Sequence, residues 1–193
     1  MKKIIAFTSL LLLLFAAGPV LATELQDAHE HASCDYCGMN RVKFAHSRML
    51  IEYQEGLPAA LCSLHCAAIE LALTIDKAPT AIKVGDFNSQ ELIDAETAFW
   101  VIGGQKPGVM TMRGKWAFSE KTAAEQFVAS NGGIISDFDH AMRAAYEDMY
   151  KDTMMIRNKR AMKKKQMNHG GGNQHDMHHD IKPGMDNMKK DVM

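Results

Sequence analysis

Two pairs of cysteines impose the strongest constraint on how this chain can fold. Cys34 and Cys37 form a C-x-x-C motif, and Cys62 and Cys66 form a C-x-x-x-C motif. A C-x-x-C motif holds two thiolates about one turn apart, so that both can bind one ion. At a helix start, the second pair would project from one face, where the helix N-terminus favours the thiolate form. We therefore expect a metal site built from both pairs.

The residues beside the cysteines indicate a soft metal. Gly38 allows the sharp turn that a metal-binding loop requires, and Met39 and His65 flank the two pairs. The chain also contains 15 methionines in 193 residues. Thiolates and thioethers are soft donors that suit copper(I), and a thioether binds without losing a proton. Zinc is the alternative metal, because cysteine and histidine also bind it.

Two disulfides are the competing explanation for an even number of cysteines in an exported chain. Helical Cβ atoms at i and i+4 lie about 5–6 Å apart, whereas a disulfide requires about 3.5–4.5 Å. A Cys62–Cys66 bond is therefore strained unless Cys62 precedes the first turn, and a cross-pair such as Cys37–Cys62 stays open. Thioredoxin-like redox chemistry is a third interpretation, although Gly38 disfavours the helix that should follow the motif.

The first 22 residues have the pattern of a secretory signal peptide. Lys2 and Lys3 precede an apolar run over residues 4–17, and Val20-Leu21-Ala22 offers small residues for cleavage. We expect export to a bacterial periplasm, with an uncleaved membrane anchor as the alternative. Ala32-Ser33-Cys34 lacks the position and the preceding apolar residue of a lipobox. A lipid anchor is therefore not supported.

Composition divides the remaining chain into three parts. Residues 23–33 form a polar linker, residues 34–152 contain the hydrophobic pattern of a domain, and residues 153–193 form a tail rich in Met, His and Lys. The tail has nine Lys and Arg against four Asp, whereas residues 23–152 have 11 basic and 19 acidic residues. An acidic body favours cation capture. The overall charge of −1 gives no reason to expect nucleic-acid binding.

The domain pattern predicts an α+β fold of two ββαβ halves, at about 34–90 and 91–136. In the first half we expect strands over 47–53 and 57–61, a helix that Ser63 caps and that runs to about Ile75, and a strand over 80–84. The buried face of this helix comprises Leu64, Ala67, Ala68, Leu71 and Leu73.

The second half repeats the order of the first. We expect strands over 98–102 and 109–118, a helix from the Ser119 cap to Ser130, and a strand at Ile134-Ile135. Asn131-Gly132-Gly133 ends that helix. A final helix should run from Asp137 to about Lys151 or beyond, and from Gly170 onward the tail should be disordered. Its Met and His residues suggest a weak copper collector.

Several motifs resemble the NosL family of nitrous-oxide-reductase accessory proteins. The run CDYCGMNR over 34–41 resembles the family's opening signature, and IDAETAFWVIGG over 93–104 and PGVMTMRGKWAF over 107–118 follow in the family's order. The resemblance covers roughly residues 34–148. It implies two ββαβ halves and an exported copper(I)-binding protein. The expected partner is a cuproenzyme, apo nitrous oxide reductase, or another copper-handling protein.

The resemblance also implies a ligand set. It assigns metal-ligand roles to Cys34, Cys37 and Met39, and it matches the family's Met-containing segment to Met110 and Met112. On the expected strand, these two methionines would share one face. The alternative is that both fill the core, because methionine suits irregular gaps.

Cys66 departs from the single cysteine that is common in this segment of the family. The arrangement of Cys37, Cys62 and Cys66 resembles the small YHS/TRASH heavy-metal modules, so a copper or zinc buffer or sensor is the alternative function, and a thiol-disulfide oxidoreductase is the third. No carboxylate pair, Ser-His-Asp order or phosphate-binding loop can be placed at useful spacing. We therefore expect a protein that is not an enzyme.

Overall fold

The structure is a computed structural model that describes residues 25–170, with side chains to residue 167. The expected signal peptide and the tail beyond residue 170 lie outside these described residues. One compact unit ends at Asp152 and a second begins at Thr153. No helix in the described range is both long and apolar enough to cross a bilayer.

The first half of the domain forms a four-stranded antiparallel sheet. The chain enters it through a short helix, α1, at Gln26–Glu30 and a 3-10 turn at Ala45–Ser47. The elements that follow are β1 Met49–Tyr53, β2 Ala59–Leu61, α2 Leu64–Leu73, β3 Pro79–Gly85 and β4 Leu92–Asp94. The strand order is β2-β1-β3-β4, so β2 and β4 are the edges.

The second half forms a three-stranded antiparallel sheet with the same arrangement. Its elements are β5 Phe99–Ile102, β6 Lys115–Phe118, α3 Lys121–Asn131 and β7 Ile134–Ser136. The order β6-β5-β7 places the first strand in the centre, as β1 is placed between β2 and β3. The prediction of an α+β fold with two ββαβ halves is confirmed.

A long helix, α4, spans Phe138–Gly170 and follows the second half. Asp137 begins it by accepting a hydrogen bond from the His140 N–H at 2.9 Å. Phe138, Ala141 and Ala145 are buried in one core that contains residues of both sheets. The expected final helix is confirmed and extends well past Lys151.

Apolar residues at two predicted element ends are exposed instead of buried. Helix α2 ends at Leu73, whose side chain is 68% exposed, and the expected extension to Ile75 does not form. Strand β2 begins at Ala59 and leaves Leu57 exposed. Hydrophobic periodicity marks the helix and strand correctly but places their ends too far out, because single exposed apolar residues are ordinary on a protein surface.

The expected strand over 109–118 is wrong for its first six residues. Only Lys115–Phe118 pairs with β5, and residues 109–113 form bends. Met110 has a φ of 62°, which lies outside the extended region. A Cβ at Gly114 would lie 2.5 Å from Trp116 Nε1, so glycine is required where this loop turns into β6.

The Ser119 cap is also wrong. Helix α3 begins at Lys121, and Glu120 is its N-cap residue. Ser119 instead donates its N–H and hydroxyl to Asp86 Oδ2, at 2.7 and 3.2 Å. Phe87 N–H also bonds to Ala117 O at 2.8 Å. These bonds join the two halves where β3 ends and β6 ends.

A buried charge cluster fixes the segment that was expected to be a polar linker. Asp27 on α1 pairs with Arg41 at 2.8 Å and with Arg48 at 2.7 Å, and both arginine side chains are buried. Burial alone would raise the pKa of Asp27, but the hydrogen bonds and charges of the two arginines lower it below the ordinary value. One carboxylate therefore pairs with two buried guanidinium groups inside the domain.

We predict that Asp27→Asn lowers the free energy of unfolding by about 3 kcal/mol, because two buried cations lose their counter-charge. Because the folded-state pKa of Asp27 is lowered, its contribution is present above the ordinary aspartate value of about 3.9 and is lost as pH falls through the folded-state value. Urea denaturation between pH 7 and pH 3 measures both effects. Asp76→Asn, at an exposed aspartate, is the control; equal effects of the two variants would contradict the prediction.

Candidate metal centre

The first cysteine pair lies in a tight loop that the backbone closes. Cys34 N–H donates to Met39 O at 2.9 Å, and Gly38 N–H donates to Cys34 O at 2.9 Å. Gly38 has a φ of 71°, which a residue with a Cβ adopts only at a cost. The sharp turn expected from the sequence is therefore present, and it directs both cysteines of the motif to one side.

Asp35 attaches this loop to the free edge of β2. Its N–H donates to Ala60 O at 3.0 Å, and its carboxylate accepts the Ala60 N–H at 2.7 Å. An edge strand has unpaired backbone groups that can accept such a partner. Because Cys62 directly follows β2, the attachment brings the first cysteine pair next to the second.

The second pair lies where β2 passes into α2. Cys62 precedes the helix, and Cys66 lies in its first turn, with their Sγ atoms 3.8 Å apart. The geometric argument against a Cys62–Cys66 disulfide therefore does not apply, because Cys62 is not helical. Among the described residues, all four cysteines are nevertheless thiols, without a disulfide.

The four thiols form one compact cluster. All four Sγ atoms lie within 4.8 Å of one another, and the Sγ atoms of Cys37 and Cys62 are 3.4 Å apart. Cys34, Cys62 and Cys66 are buried, whereas Cys37 is half-buried. Bonds of about 2.3 Å from a tetrahedral ion to four sulfurs give S–S separations of about 3.8 Å, so the cluster has the size of a metal site.

The cluster favours the thiolate form of Cys34 and Cys37 and disfavours that of Cys62 and Cys66. Hydrogen bonds from the thiols of Cys37, Cys62 and Cys66 lower the pKa of Cys34 far below the ordinary value. Although the interaction with Cys34 opposes it, hydrogen bonds with Cys62 and Cys66 lower the pKa of Cys37 to about 7. Interaction with Cys34 and Cys37 raises the pKa of Cys62 and Cys66. A bound cation would offset this accumulated negative charge and displace the remaining protons.

His65 is not part of the four-sulfur group among the described residues. Its buried Nδ1 lies 3.7 Å from Asp152 Oδ2, and neither atom has a hydrogen-bond partner within the described residues. Burial lowers the pKa of His65, although the charge of Asp152 opposes that change. A neutral imidazole is the form that binds metals.

The methionines predicted as ligands lie at different depths. Met39 and Met110 are half-buried and pack against the core that contains the cysteines. Met112 is 61% exposed, and its N–H donates to Asp152 Oδ1 at 3.2 Å. The argument that Met110 and Met112 share one strand face is wrong, because both lie in the bends before β6.

Comparison with known proteins gives the family. A model of the NosL family matches residues 25–146 of this chain. The chain belongs to the NosL family. A crystal structure described as the copper chaperone NosL from Shewanella denitrificans is similar at 24% identity, covering 55% of this chain and 87% of that chain, with a TM-score of 0.47. A search of curated proteins gives no match.

Family membership confirms the recognition made from the motifs. It also agrees with the expectation of a protein without catalytic activity. The match begins at residue 25 and therefore includes α1, which the motif comparison left out.

Sequence reasoning missed three residues that shape the centre of this NosL family member. Asp35 holds the C-x-x-C loop, Arg41 donates to Leu61 O beside Cys62, and Asp152 faces His65. Asp35 lies inside the motif and could have been suspected. Asp152 lies on a helix 87 positions after His65. No local spacing in the sequence therefore indicates that the two residues are close.

We predict that Asp35→Ala weakens metal affinity about tenfold, because losing a hydrogen bond to a charged group costs about 1.5–3 kcal/mol and loosens the loop. Competition with a copper(I) chelator measures the affinity, and Asp35→Asn should retain most of it because the amide oxygen still accepts. The control is Asp94→Ala, which removes a carboxylate that accepts two backbone N–H groups at the opposite sheet edge. An unchanged affinity in Asp35→Ala would show that the loop does not need this attachment.

Proposed function

We propose that this protein is an exported copper(I)-binding accessory protein that delivers copper to an extracytoplasmic cuproenzyme, apo nitrous oxide reductase. The observation that supports this most directly is the cluster of four thiols within 4.8 Å. Membership of the NosL family and the signal-peptide pattern of residues 1–22 support the recipient and the periplasmic location.

The donor chemistry favours copper(I). Thiolates are soft ligands, and soft ligands select Cu(I) among the ions that a protein meets. Met39 and Met110 add thioethers beside the same core, Met112 adds an exposed thioether, and His65 adds a neutral imidazole. We propose the four cysteines as the principal ligands, with these four residues as additional ligands during loading or release.

The unequal burial of the thiols suits delivery. Cys34, Cys62 and Cys66 are buried, which shields their sulfurs from water and oxidants, whereas Cys37 is half-buried on the loop. An incoming thiol or imidazole of a recipient can therefore reach the ion from the side of Cys37. Cys37 would then be the first ligand to exchange, and the three buried thiols would keep the ion until the recipient binds it.

A zinc or heavy-metal buffer is the second candidate. The observation that favours it is the number of thiols, because four cysteines are also the ligands of a closed structural zinc site. The two functions predict different changes in metal affinity when one thiol is removed. Zn(II) requires four ligands in such a site, whereas Cu(I) binds well with fewer thiolates. Cys66→Ser should therefore reduce Zn(II) affinity much more than Cu(I) affinity.

We predict that Cys37→Ser combined with Cys62→Ser lowers Cu(I) affinity at least 100-fold, because it removes one thiol from each pair. Reduced protein is titrated anaerobically with Cu(I) against a competing chelator, and circular dichroism monitors the fold. Binding as tight as in the unchanged protein would show that the cluster is not the copper site.

The delivery step is tested with the same proteins. Copper-loaded protein is mixed with apo nitrous oxide reductase, and the visible absorption of the enzyme's copper centres is followed. The unchanged protein should load the enzyme faster than an equal concentration of the copper–chelator complex. Equal rates would show that the protein binds copper but does not deliver it to the enzyme.

We predict that Met110→Leu combined with Met112→Leu lowers Cu(I) affinity and leaves Zn(II) affinity nearly unchanged, because a thioether binds Cu(I) but is a poor zinc ligand. The change conserves volume, so the fold should lose less than about 1.5 kcal/mol. X-ray absorption should show fewer sulfur atoms around copper. Met142→Leu with Met149→Leu, at two half-buried core positions on α4, is the control; the same result for both pairs would assign Met110 and Met112 to packing alone.

A further inference from the structure

The part of the second unit that the structure describes carries charge of one sign only. Residues 153–170, the last part of α4, contain no Asp or Glu. The basic side chains of this segment are all exposed. They are Arg157, Lys159, Arg160, Lys163, Lys164 and Lys165.

Most of these charges lie on one side of the helix, opposite three of its methionines. A turn of 3.6 residues advances each position by about 100° around the axis. Five of the six basic residues, all except Lys165, then fall within an arc of about 160°. Met154, Met155 and Met162 fall on the opposite side, and Met154 and Met162 are exposed. The segment therefore has a basic face and an opposite face with three methionines, although Lys165 lies among these methionines and Ile156 and Met167 lie within the basic arc.

We propose that this segment, residues 153–167, binds the surface of an anionic lipid bilayer. The helix would lie along the surface, with lysine and arginine side chains reaching the headgroup phosphates and the methionines at the acyl boundary. Clusters of basic residues close to a membrane are attracted to its anionic lipids.

The charge pattern favours a bilayer over a soluble acidic protein. Fifteen helical residues extend about 22 Å, and the basic residues spread along this length and over a wide arc. Such a spread matches the diffuse charge of a lipid surface, whereas recognition of one protein usually combines charge with a shaped apolar centre. The binding would be peripheral, since no described helix can span a bilayer.

The experiment uses the protein recovered from the periplasm after export, so that its N-terminus is processed as in the cell. Sedimentation with vesicles of phosphatidylcholine alone, or with one quarter phosphatidylglycerol, measures the partition coefficient. We expect binding to the anionic vesicles only, and a loss of binding as salt concentration rises.

The test variant is Arg157→Gln, Arg160→Gln and Lys164→Gln, which removes three neighbouring charges from one side of the basic face. At about fivefold per basic residue, it should lower the partition coefficient on the order of 100-fold. The matched control, Lys43→Gln, Lys77→Gln and Lys121→Gln, makes the same change in net charge at exposed positions of the first unit. It should bind nearly as well as the unchanged protein.

Three outcomes would overturn the proposal. These are equal losses in the two triple variants, equal binding to both kinds of vesicle, and binding to a soluble acidic polypeptide such as polyglutamate without binding to vesicles. The copper affinity of each variant is measured alongside. Because the four cysteines are untouched, an unchanged affinity together with lost vesicle binding separates this proposal from the copper function.

Discussion

The arrangement of the domain depends on the hydrogen bonds that the buried guanidinium of Arg41 donates. All five of its N–H donors have acceptors: Leu61 O through Nε, Asp27 O and His31 O through Nη1, and Asp27 Oδ2 and Met49 O through Nη2. It therefore connects α1, β1 and the end of β2. Arg41 also closes the cysteine loop, since its N–H donates to Ala32 O. A partly satisfied buried cation is costly, so the network forms as a whole and positions Cys62 and the loop together.

The candidate metal centre combines an edge strand with an irregular loop. A β-strand edge has unpaired N–H and C=O groups, and Asp35 satisfies one of each at Ala60. The loop that covers the edge also brings Cys34 and Cys37 to it. The same loop therefore covers the exposed strand edge and completes the four-sulfur cluster. Metal binding should strengthen this attachment, because ligands from both segments are then held by one ion.

Sequence reasoning predicted the elements better than their ends and contacts. The ββαβ order, α4 and the pairing of the two cysteine motifs were expected, because hydrophobic periodicity and ligand spacing are local signals. The bends at residues 109–113 were not, because the positive φ of Met110 has no local signal in a non-glycine residue. The Asp27 cluster and the approach of Asp152 to His65 depend on long-range packing, so that no single segment of the sequence indicates them.

The two halves show how one local geometry serves two purposes. In each half, the second strand passes into a helix through two residues, Cys62-Ser63 before α2 and Ser119-Glu120 before α3. Cys62 and Ser119 therefore occupy equivalent positions. The thiol of Cys62 joins the four-sulfur cluster, whereas the hydroxyl of Ser119 donates to Asp86 and links the sheets. A strand end next to a helix N-terminus holds a side chain rigidly at the core boundary, and the atom at that position decides between a candidate metal ligand and a structural hydrogen bond.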